Sequence, residues 1–390
     1  MNPKVVIVGG GVIGSAIAYF LKVADPAIEV TVLERDPSYS RCSSALSAAS
    51  IRQQFSTPLS IQMSLFGIGF LRAAGSLLAV NGESPSIDLH EGGYLFLATA
   101  AGEATLRENH ALQRRLDAGI DLLDPTALQT RFPWLNTEDL TVGTHGASGE
   151  GWFDGYGLMQ AFRKKALSLG ARYAAVDMTA LQCGGGRVTR VLDSSGACFP
   201  CDAVVNAAGP WSRSVAAMAG IDIPVHARRR SIFNVSSPAK LQGCPLLIDP
   251  TGVYFRPEGR NYICGVSPAA EDDLDDLPLD EVDHDLFNER IWPALAHRVP
   301  EFEALRVESS WSGYYEYNVF DHNAIIGLHP NVGNLVFANG FSGHGLQHAP
   351  ATGRAVSELI VAGKYTTLDL SPLGWRRILE NQPIVEKNVV

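Results

Sequence analysis

Apolar runs and helix-like segments alternate at both ends of the chain. Residues 4–8, KVVIV, form a continuous apolar run of mostly β-branched residues, and an apolar segment of helical length follows the glycines after it. Near the other end, the strand-like LVFAN (335–339) precedes the helix-like ATGRAVSELIVAG (351–363). Strands that alternate with helices in this way predict an α/β fold with an open sheet covered by helices.

Three glycines follow the first predicted strand at a fixed spacing, as Gly9-x-Gly11-x-x-Gly14, and open the first predicted helix. A second apolar strand, VTVLE, ends in Glu34. This strand, glycine turn, helix and acid make a complete Rossmann-type dinucleotide-binding unit, in which backbone N–H groups receive the pyrophosphate and the acid accepts from the ribose hydroxyls.

Composition and charge narrow the class of protein. The chain has 390 residues, of which 46% are hydrophobic and 18% charged, which favours two globular domains. The net charge of -10 argues against nucleic acid as a partner, and AEDDLDDLPLDEVDHD (270–285, here called the acidic segment) is expected to be a solvated loop. No apolar run reaches the length of a transmembrane helix, which leaves only peripheral contact with a membrane open.

The cysteines and the first strand bear on location and metal binding. Six cysteines are scattered without a disulfide pattern, and CFPC (198–201) lacks the second ligand pair that a zinc site needs and is expected to form a hairpin. We therefore predict no metal site. The first strand begins at Lys4, which leaves no room for a targeting peptide, so a cytoplasmic location is expected.

Small residues occur where other parts of the chain would approach a cofactor. The segment 35–56 is rich in small and hydroxyl residues, DAVVNAAGPWS (202–212) is a strand that runs into small residues, and GFSGHGLQ (340–347) contains three glycines. NAD usually stays within one contiguous domain, whereas a long cofactor contacted by three distant segments indicates FAD.

These motifs, in their order, resemble the D-amino acid oxidase superfamily of FAD enzymes, which includes sarcosine oxidases, dimethylglycine dehydrogenases, glycine oxidases and D-arginine dehydrogenases. The resemblance rests on the N-terminal motif with Glu34, CSSALSAAS (42–50), EGWFDGYGLMQAF (150–162), VVNAAGPWS (204–212) and NGFSGHGLQHAP (339–350). It covers nearly the whole chain. It implies a discontinuous Rossmann-type FAD-binding domain (1–80, 145–215 and 325–390) and an α+β substrate domain (81–144 and 216–324) with a mixed, largely antiparallel sheet.

The resemblance also implies the cofactor residues. The loop at 340–347 would lie against the flavin, where its N–H groups could stabilise the negative charge of the reduced ring. The predicted FAD-binding residues are Gly9, Gly11, Val12, Ile13, Gly14, Glu34, Arg35, Ser43, Ser44, Ala45, Ser47, Met178, Ala207, Gly209, Trp211, Gly313, Gly343, His344, Gly345, Leu346 and Gln347.

Chemistry in this family is hydride transfer from a C–H beside an amine to flavin N5, after which water hydrolyses the imine. The expected substrate is a small carboxylate-bearing secondary or N-substituted amine of the sarcosine, iminodiacetate or imino-acid type, and the acceptor a quinone, an electron-transfer protein or oxygen. A dehydrogenase is slightly favoured over an oxidase. Two alternatives stay open: an FAD-binding assembly factor with a structural flavin, and a dehydrogenase of D-amino acids or 2-hydroxy acids.

Arginine is the residue that best grips a carboxylate, through two parallel hydrogen bonds. Arg52 follows the small-residue loop, and Arg230 belongs to the triplet 228–230, in which alternate residues take opposite faces and the face toward substrate is not readable. The predicted catalytic residues are Arg52, Arg230, Tyr254, Arg256, Tyr315 and His344. The several arginines favour a substrate with more than one carboxylate.

Departures from the relatives limit how far the resemblance carries. Tyr314 stands where sarcosine oxidases tether the flavin through a cysteine, and the N-terminal loop has no histidine, so FAD is expected to bind without a covalent link. Gln347 replaces a substrate-binding lysine, and Tyr315 lies near the position of a carboxylate-clamping arginine. These changes put the substrate in doubt more than the type of reaction.

Overall fold

Strands and helices alternate through residues 2–387, the part of the chain that the computed structural model describes. The strands are β1 (Lys4–Val8), β2 (Glu29–Glu34), β3 (Ser50–Ile51), β4 (Tyr94–Ala98), β5 (Ile120–Leu123), β6 (Val142–Gly146), β7 (Gly151–Trp152), β8 (Arg172–Ala175), β9 (Met178–Gly184), β10 (Arg187–Asp193), β11 (Cys198–Pro200), β12 (Ala203–Asn206), β13 (Val225–Ser236), β14 (Leu246–Ile248), β15 (Tyr254–Glu258), β16 (Asn261–Gly265), β17 (Arg306–Asn318), β18 (Ile325–His329) and β19 (Val332–Asn339). The α-helices are α1 (Val12–Ala24), α2 (Ser43–Leu46), α3 (Pro58–Leu77), α4 (Glu103–Arg115), α5 (Pro125–Arg131), α6 (Gly155–Ser168), α7 (Ser212–Ala217), α8 (His284–Leu286), α9 (Trp292–Arg298), α10 (Gly345–Ala362) and α11 (Arg376–Leu379).

A six-stranded sheet carries the N-terminal motif, with the strand order β18-β19-β12-β1-β2-β8. The five strands from β19 to β8 are parallel, and β18 is antiparallel to β19. Their carboxyl ends therefore meet at one edge of the sheet, which is where open α/β sheets bind ligands. The predicted Rossmann-type sheet is confirmed.

Alternate residues of this sheet pack on opposite faces. Val5 and Ile7 of β1 contact a core formed with α1, α3, α6 and α10. Val6 and Val8 face the β9–β11 sheet and α7 on the other side. Because both faces are covered, the strand is apolar at every position after Lys4, as its sequence indicated.

An eight-stranded sheet forms the second layer, with the order β17-β13-β16-β15-β14-β4-β6-β5. All neighbouring pairs are antiparallel except β14 with β4. Phe233, Leu247 and Phe255 pack on one face, against α9 and the segment around Phe302. The opposite face points toward the carboxyl edge of the first sheet. The predicted mixed, largely antiparallel sheet is confirmed, while the division of the chain into two domains stays a prediction.

Late residues of the chain hold the loop before α3. The buried Glu386 carboxylate accepts hydrogen bonds from Ser56 N (2.8 Å) and Thr57 Oγ1 (3.0 Å) at the start of that helix. Asp321 accepts from Ile384 N and forms a buried ion pair with Arg377. Residues 384–387 are thereby tied to the loop that follows Arg52.

Two further expectations concern single segments. CFPC begins β11, which pairs antiparallel with β10, so the hairpin is confirmed. Between residues 2 and 387, the structure contains no helix with the length and apolar character needed to span a bilayer.

Candidate FAD and substrate site

A cavity of about 630 Å³ lies between the carboxyl edge of the six-stranded sheet and one face of the eight-stranded sheet. Residues that follow β1, β2, β8, β12 and β19 form one wall. Side chains of β4, β13, β14, β15 and β17 form the other. The cavity thus joins a wall built largely from strand ends and loops to a wall built from side chains.

Most of the residues predicted from the sequence line this cavity. The predicted catalytic residues among them are Arg52, Arg230, Tyr254, Tyr315 and His344. The predicted cofactor residues among them are Gly9, Gly11, Val12, Ile13, Glu34, Arg35, Ser43, Ser44, Ser47, Met178, Ala207, Gly209, Trp211, Gly313, Gly343, Gly345, Leu346 and Gln347. Gly14, Ala45 and Arg256 do not line it.

Close backbone contacts explain the glycines of the N-terminal motif. Gly9 has φ +99°, and a Cβ there would lie 2.3 Å from Ala207 O at the end of β12. A Cβ on Gly14 would lie 1.9 Å from Gly9 O, so Gly14 serves helix packing and not ligand contact. Glu34 accepts hydrogen bonds from Gly10 N (2.8 Å) and Asp36 N (2.9 Å), and its carboxylate retains lone pairs for ribose hydroxyls.

Two of the helices that begin at this cavity are α1, preceded by Gly11, and α10, preceded by His344. Neither has an acidic residue in its first turn, and the residue before each makes no capping side-chain hydrogen bond. Val12 N at the start of α1 donates to Ser44 Oγ (3.2 Å). The N-termini of both helices carry partial positive charge, which suits the pyrophosphate at α1 and the electron-rich edge of a reduced flavin at α10. The arrangement fits FAD. The residues around Gly11 would hold its pyrophosphate, and the residues around Gly345 would contact the electron-rich edge of its flavin.

Gly343 shows why the loop before α10 excludes side chains. Its φ is +94°, and a Cβ would lie 2.5 Å from the Tyr315 ring. Both residues line the cavity. Any larger residue would have to displace either the loop or Tyr315, which lies on β17 in the opposite wall.

Arg52 is buried in the wall between the two sheets. Its Nη1 donates to Tyr94 Oη (3.2 Å), and its Nη2 lies 3.1 Å from His344 Nε2. Its guanidinium also lies 4.7 Å from the centre of the Phe55 ring. Since arginine can only donate, His344 Nε2 accepts and the imidazole proton lies on Nδ1. Burial, with the Arg52 charge second, holds the pKa of His344 well below its usual value, so the ring is neutral.

A buried carboxyl lies behind Arg52. Glu150 accepts from Gln53 N and from Gln54 Nε2 (2.7 Å). Burial outweighs these hydrogen bonds and raises the pKa of Glu150 to about 8, so the group is largely protonated at pH 7. Burial likewise raises the pKa of Glu316, a cavity residue that accepts from Gly340 N (2.9 Å), to about 8.

The three arginines of β13 differ in their partners, and only Arg230 lines the cavity. Arg230 lines the cavity, and its two terminal nitrogens donate to the Asp273 carboxylate at 2.6 and 3.0 Å. Arg228 pairs with Asp275, and Arg229 donates to Pro278 O. All three therefore hold the acidic segment. The expectation that this segment is a solvated loop is wrong for Asp273, whose side chain is only 16% exposed.

Arg256 was expected to contact substrate because it shares a face of β15 with Tyr254, but the structure does not bring it to the cavity. Its Nε and Nη2 donate to Ala48 O, and its Nη1 donates to Glu258 and Pro257 O. Arg256 lies two residues after Tyr254 on β15, beyond the edge of the cavity, and its side chain holds the small-residue loop at Ala48. Tyr254 does line the cavity, and burial raises its pKa well above the usual value, so its phenol is neutral.

Several lining residues were missed by the sequence reasoning. Tyr94 opens β4, and its contact with Arg52 joins residues 42 positions apart. Ile232, Leu246 and Ile248 form an apolar patch on the same face of the second sheet. The alternation within RRRSIFNV placed Ile232 on the face of Arg230. No local pattern marked Tyr94.

Comparison with known proteins identifies the class. The model of the DAO family, FAD dependent oxidoreductase, matches residues 4–359, and the chain therefore belongs to this family of FAD-dependent oxidoreductases. FAD is accordingly its cofactor, as the sequence predicted.

Among its relatives, the chain is 46% identical to FAD-dependent oxidoreductase domain-containing protein 1 of Xenopus laevis, over 99% of this chain and 84% of that protein. The structure is similar to L-proline dehydrogenase from P. horikoshii (TM-score 0.86, 24% identity, 98% of this chain and 99% of that one). It is also similar to glycine oxidase from Geobacillus kaustophilus (TM-score 0.81, 25% identity, 96% and 98%). The family and the fold are thus those that the motifs indicated.

Proposed function

We propose that the protein oxidises the C–N bond of a secondary or N-substituted amino acid, of the sarcosine, iminodiacetate or imino-acid type. The observation that carries this proposal is Arg52, a buried guanidinium that lines the cavity beside the loop at 340–347. Bound FAD supplies the hydride acceptor in this chemistry. The names of the similar proteins, which include an L-proline dehydrogenase and a glycine oxidase, support a small amino acid as substrate.

Arg52 would bind the substrate carboxylate, because Tyr94 and His344 hold its guanidinium in one orientation and the His344 ring is neutral. Ile232, Leu246 and Ile248 would pack on the apolar part of the substrate and exclude water. Tyr254 and Tyr315 present neutral phenols that can orient the amine through hydrogen bonds. Together these contacts fix which C–H faces the cofactor.

His344 is a poor base, since its pKa lies well below its usual value. The amine must therefore bind in its neutral form or give its proton to solvent. We expect kcat/KM to rise with pH until the free substrate amine is deprotonated.

An anaerobic screen of amines tests the proposal. Titration of the FAD-loaded protein with sarcosine, iminodiacetate, proline and glycine should bleach the flavin absorbance, with the secondary amines faster than glycine. If only D-amino acids or 2-hydroxy acids bleached the flavin, the proposed substrate class would be wrong and one of these classes would take its place. FAD that no compound reduces would favour an assembly factor with a structural flavin.

The cofactor is proposed to be bound without a covalent link. Tyr314 occupies the position of the tethering cysteine of sarcosine oxidases, and its hydroxyl donates to Leu277 O at 2.7 Å. Acid precipitation should leave the yellow colour in the supernatant. Colour that stays with the pellet contradicts this proposal.

The reduced enzyme is proposed to prefer a quinone or dye to oxygen, because a fixed cation beside the flavin assists the first electron transfer to oxygen. The described residues that line the cavity include arginines such as Arg52 but no lysine, the cation that sarcosine oxidases use for this step, and Arg256 is engaged elsewhere. Stopped-flow reoxidation in air-saturated buffer should be slower than turnover with a dye. Equally fast reoxidation would make the protein an oxidase.

A further inference from the structure

Asp273 changes what Arg230 can bind. Both terminal nitrogens of Arg230 donate to the two oxygens of Asp273, so the fork that would grip a carboxylate already holds one. Nη1 also donates to Arg229 O (2.9 Å). Two of the five N–H groups of Arg230 remain: the second one on Nη2, and that of Nε, which is buried and has no hydrogen-bond partner among residues 2–387. To a ligand, Arg230 therefore presents at most two N–H groups, from an ion pair with no net charge.

The acidic segment holds Asp273 in this position through contacts beyond it in the chain. Asp275 pairs with both Arg228 and His226, and Asp276 N donates to Ala227 O (2.9 Å). Leu277 O accepts from Tyr314 Oη (2.7 Å). Since these contacts tie the segment to β13 and β17, Asp273 is a fixed partner and not a mobile surface charge.

The ion pair is also shielded from water. The side chains of Arg230 and Asp273 are 9% and 16% exposed, and the Arg230 guanidinium lies 5.1 Å from the centre of the Tyr315 ring. Removing one partner of such a pair leaves an unpaired charge in a poorly hydrated site. A ligand carboxylate can therefore contact Arg230 in two ways: by displacing Asp273, or through Nε and Nη2 beside the negative charge of Asp273.

We propose that Asp273 is a specificity-determining residue, which neutralises Arg230 and so adapts the cavity to amino acids with a single carboxylate. Arg52 then remains to bind that carboxylate, and a second carboxylate near Arg230 would meet the negative charge of Asp273. This inference rests on the proposed function and revises the expectation, drawn from the number of arginines, that a dicarboxylate is preferred.

Two thioether probes test the proposal without turnover, because sulfur replaces the amine that would be oxidised. (Methylthio)acetate carries one carboxylate, and thiodiacetate carries two. Isothermal titration of the FAD-loaded wild-type protein should show tighter binding of (methylthio)acetate. Asp273→Asn should strengthen thiodiacetate binding by about tenfold or more and (methylthio)acetate binding by less than about threefold.

The control variants distinguish the loss of the Asp273 charge beside Arg230 from the loss of any negative charge in the acidic segment. Asp272→Asn is the matched control, because Asp272 lies in the same segment, is exposed and does not line the cavity. It should change neither affinity by more than about twofold. In an Asp273→Asn background, Arg230→Gln should abolish the gain for thiodiacetate.

Several results would overturn the proposal. They are tighter binding of thiodiacetate than of (methylthio)acetate by the wild-type protein, equal effects of Asp273→Asn on both probes, or weaker thiodiacetate binding in that variant, which would mean that Asp273 only orients Arg230. The wild-type comparison needs no variant to fold, and Asp273→Ala repeats the test if the Asn variant is unstable. The affinities for the two probes do not depend on turnover. If the protein oxidised no amine, the proposed function would be refuted, but the effect of Asp273 on binding could still be interpreted.

Discussion

Arg52 and Arg230 lie in the walls of one cavity, but their surroundings differ in charge. Arg52 is held by a phenol and a neutral imidazole, whereas Arg230 is held by a carboxylate on both terminal nitrogens. The two guanidiniums have the same chemistry and similar burial. What a ligand meets is therefore decided by the partner of each arginine, and the sequence around each arginine does not show that partner.

The largest expected effect is that of Arg52→Ala. Loss of one partner of a carboxylate contact in a desolvated site costs on the order of 2 to 4 kcal/mol, so kcat/KM should fall roughly 30-fold to 1000-fold. FAD content, measured by absorbance of the purified protein, should change little. Arg107→Ala is the control because Arg107 pairs with Glu103 on the exposed surface of α4 and does not line the cavity, and it should change kcat/KM by less than about threefold. A change below threefold in Arg52→Ala would remove Arg52 from the site.

The second effect depends on pH, because the carboxyl behind Arg52 is not yet ionised at pH 7. Above about pH 8, Glu150 ionises and offsets the charge of Arg52. Binding of (methylthio)acetate should weaken by up to about tenfold between pH 7 and 9.5, since one opposing charge nearby costs on the order of 1 kcal/mol at an effective dielectric typical of proteins. Glu150→Gln should reduce this weakening and leave the part that comes from Glu316, a cavity residue with a similar pKa, and a pH profile unchanged by the substitution would contradict the assignment.

The same group links stability to pH. The ordinary pKa of Glu150 is 4.5 and its folded value is about 8, so between these values the folded state holds a proton that the unfolded state has lost. Its contribution is fully present below about pH 4.5 and is lost as the pH rises through about 8, by up to about 1.4 kcal/mol per pH unit. Glu316 adds a similar slope. Glu150→Gln should therefore reduce the fall in Tm from pH 6 to 8 without abolishing it. Glu91→Gln should leave the slope unchanged because Arg72 lowers the pKa of Glu91.

Tyr94→Phe should give the smallest effect. The substitution removes only the acceptor for Arg52 Nη1, which leaves the charge in place but loosens its orientation. We expect (methylthio)acetate binding to weaken by about threefold to tenfold, the net value of one typical intramolecular hydrogen bond. Tyr262→Phe, which removes a hydroxyl bonded to Ala239 O in the core of the second layer, is the control and should not alter binding. Equal effects of the two variants would argue against a role for Tyr94 in orienting Arg52.

The wall built from strand ends could be predicted from the sequence because its motifs consist of residues that are close together along the chain. Gly9, Gly14 and Glu34 lie within one strand-turn-helix-strand unit, and their spacing follows from the backbone geometry of that unit. The loop at 340–347 was recognisable for the same reason, since Gly343 has a positive φ and no room for a side chain.

The opposite wall could be predicted only in part, because it depends on tertiary contacts. Arg230 and Asp273 are 43 residues apart, and their pairing depends on how the acidic segment crosses β13. Alternation along a strand placed Arg228 and Arg230 on one face but did not show which face lines the cavity, and it could not show that Arg256 reaches Ala48 instead of the cavity. Glu150 and Glu316 carry no sequence signal of their raised pKa, which results from burial in the finished fold.

The sheet order has a consequence for the timing of assembly during synthesis. Strand β12, the neighbour of β1, also pairs with β19 (Val332–Asn339), and the helix N-terminus at Gly345 and the Glu386 contact come later still. At about 5–20 residues per second, the ribosome needs on the order of tens of seconds between β1 and these segments. During that interval the glycine motif exists without the second helix that would hold FAD. We therefore expect FAD to be loaded only after β19 and the start of α10 have been synthesised.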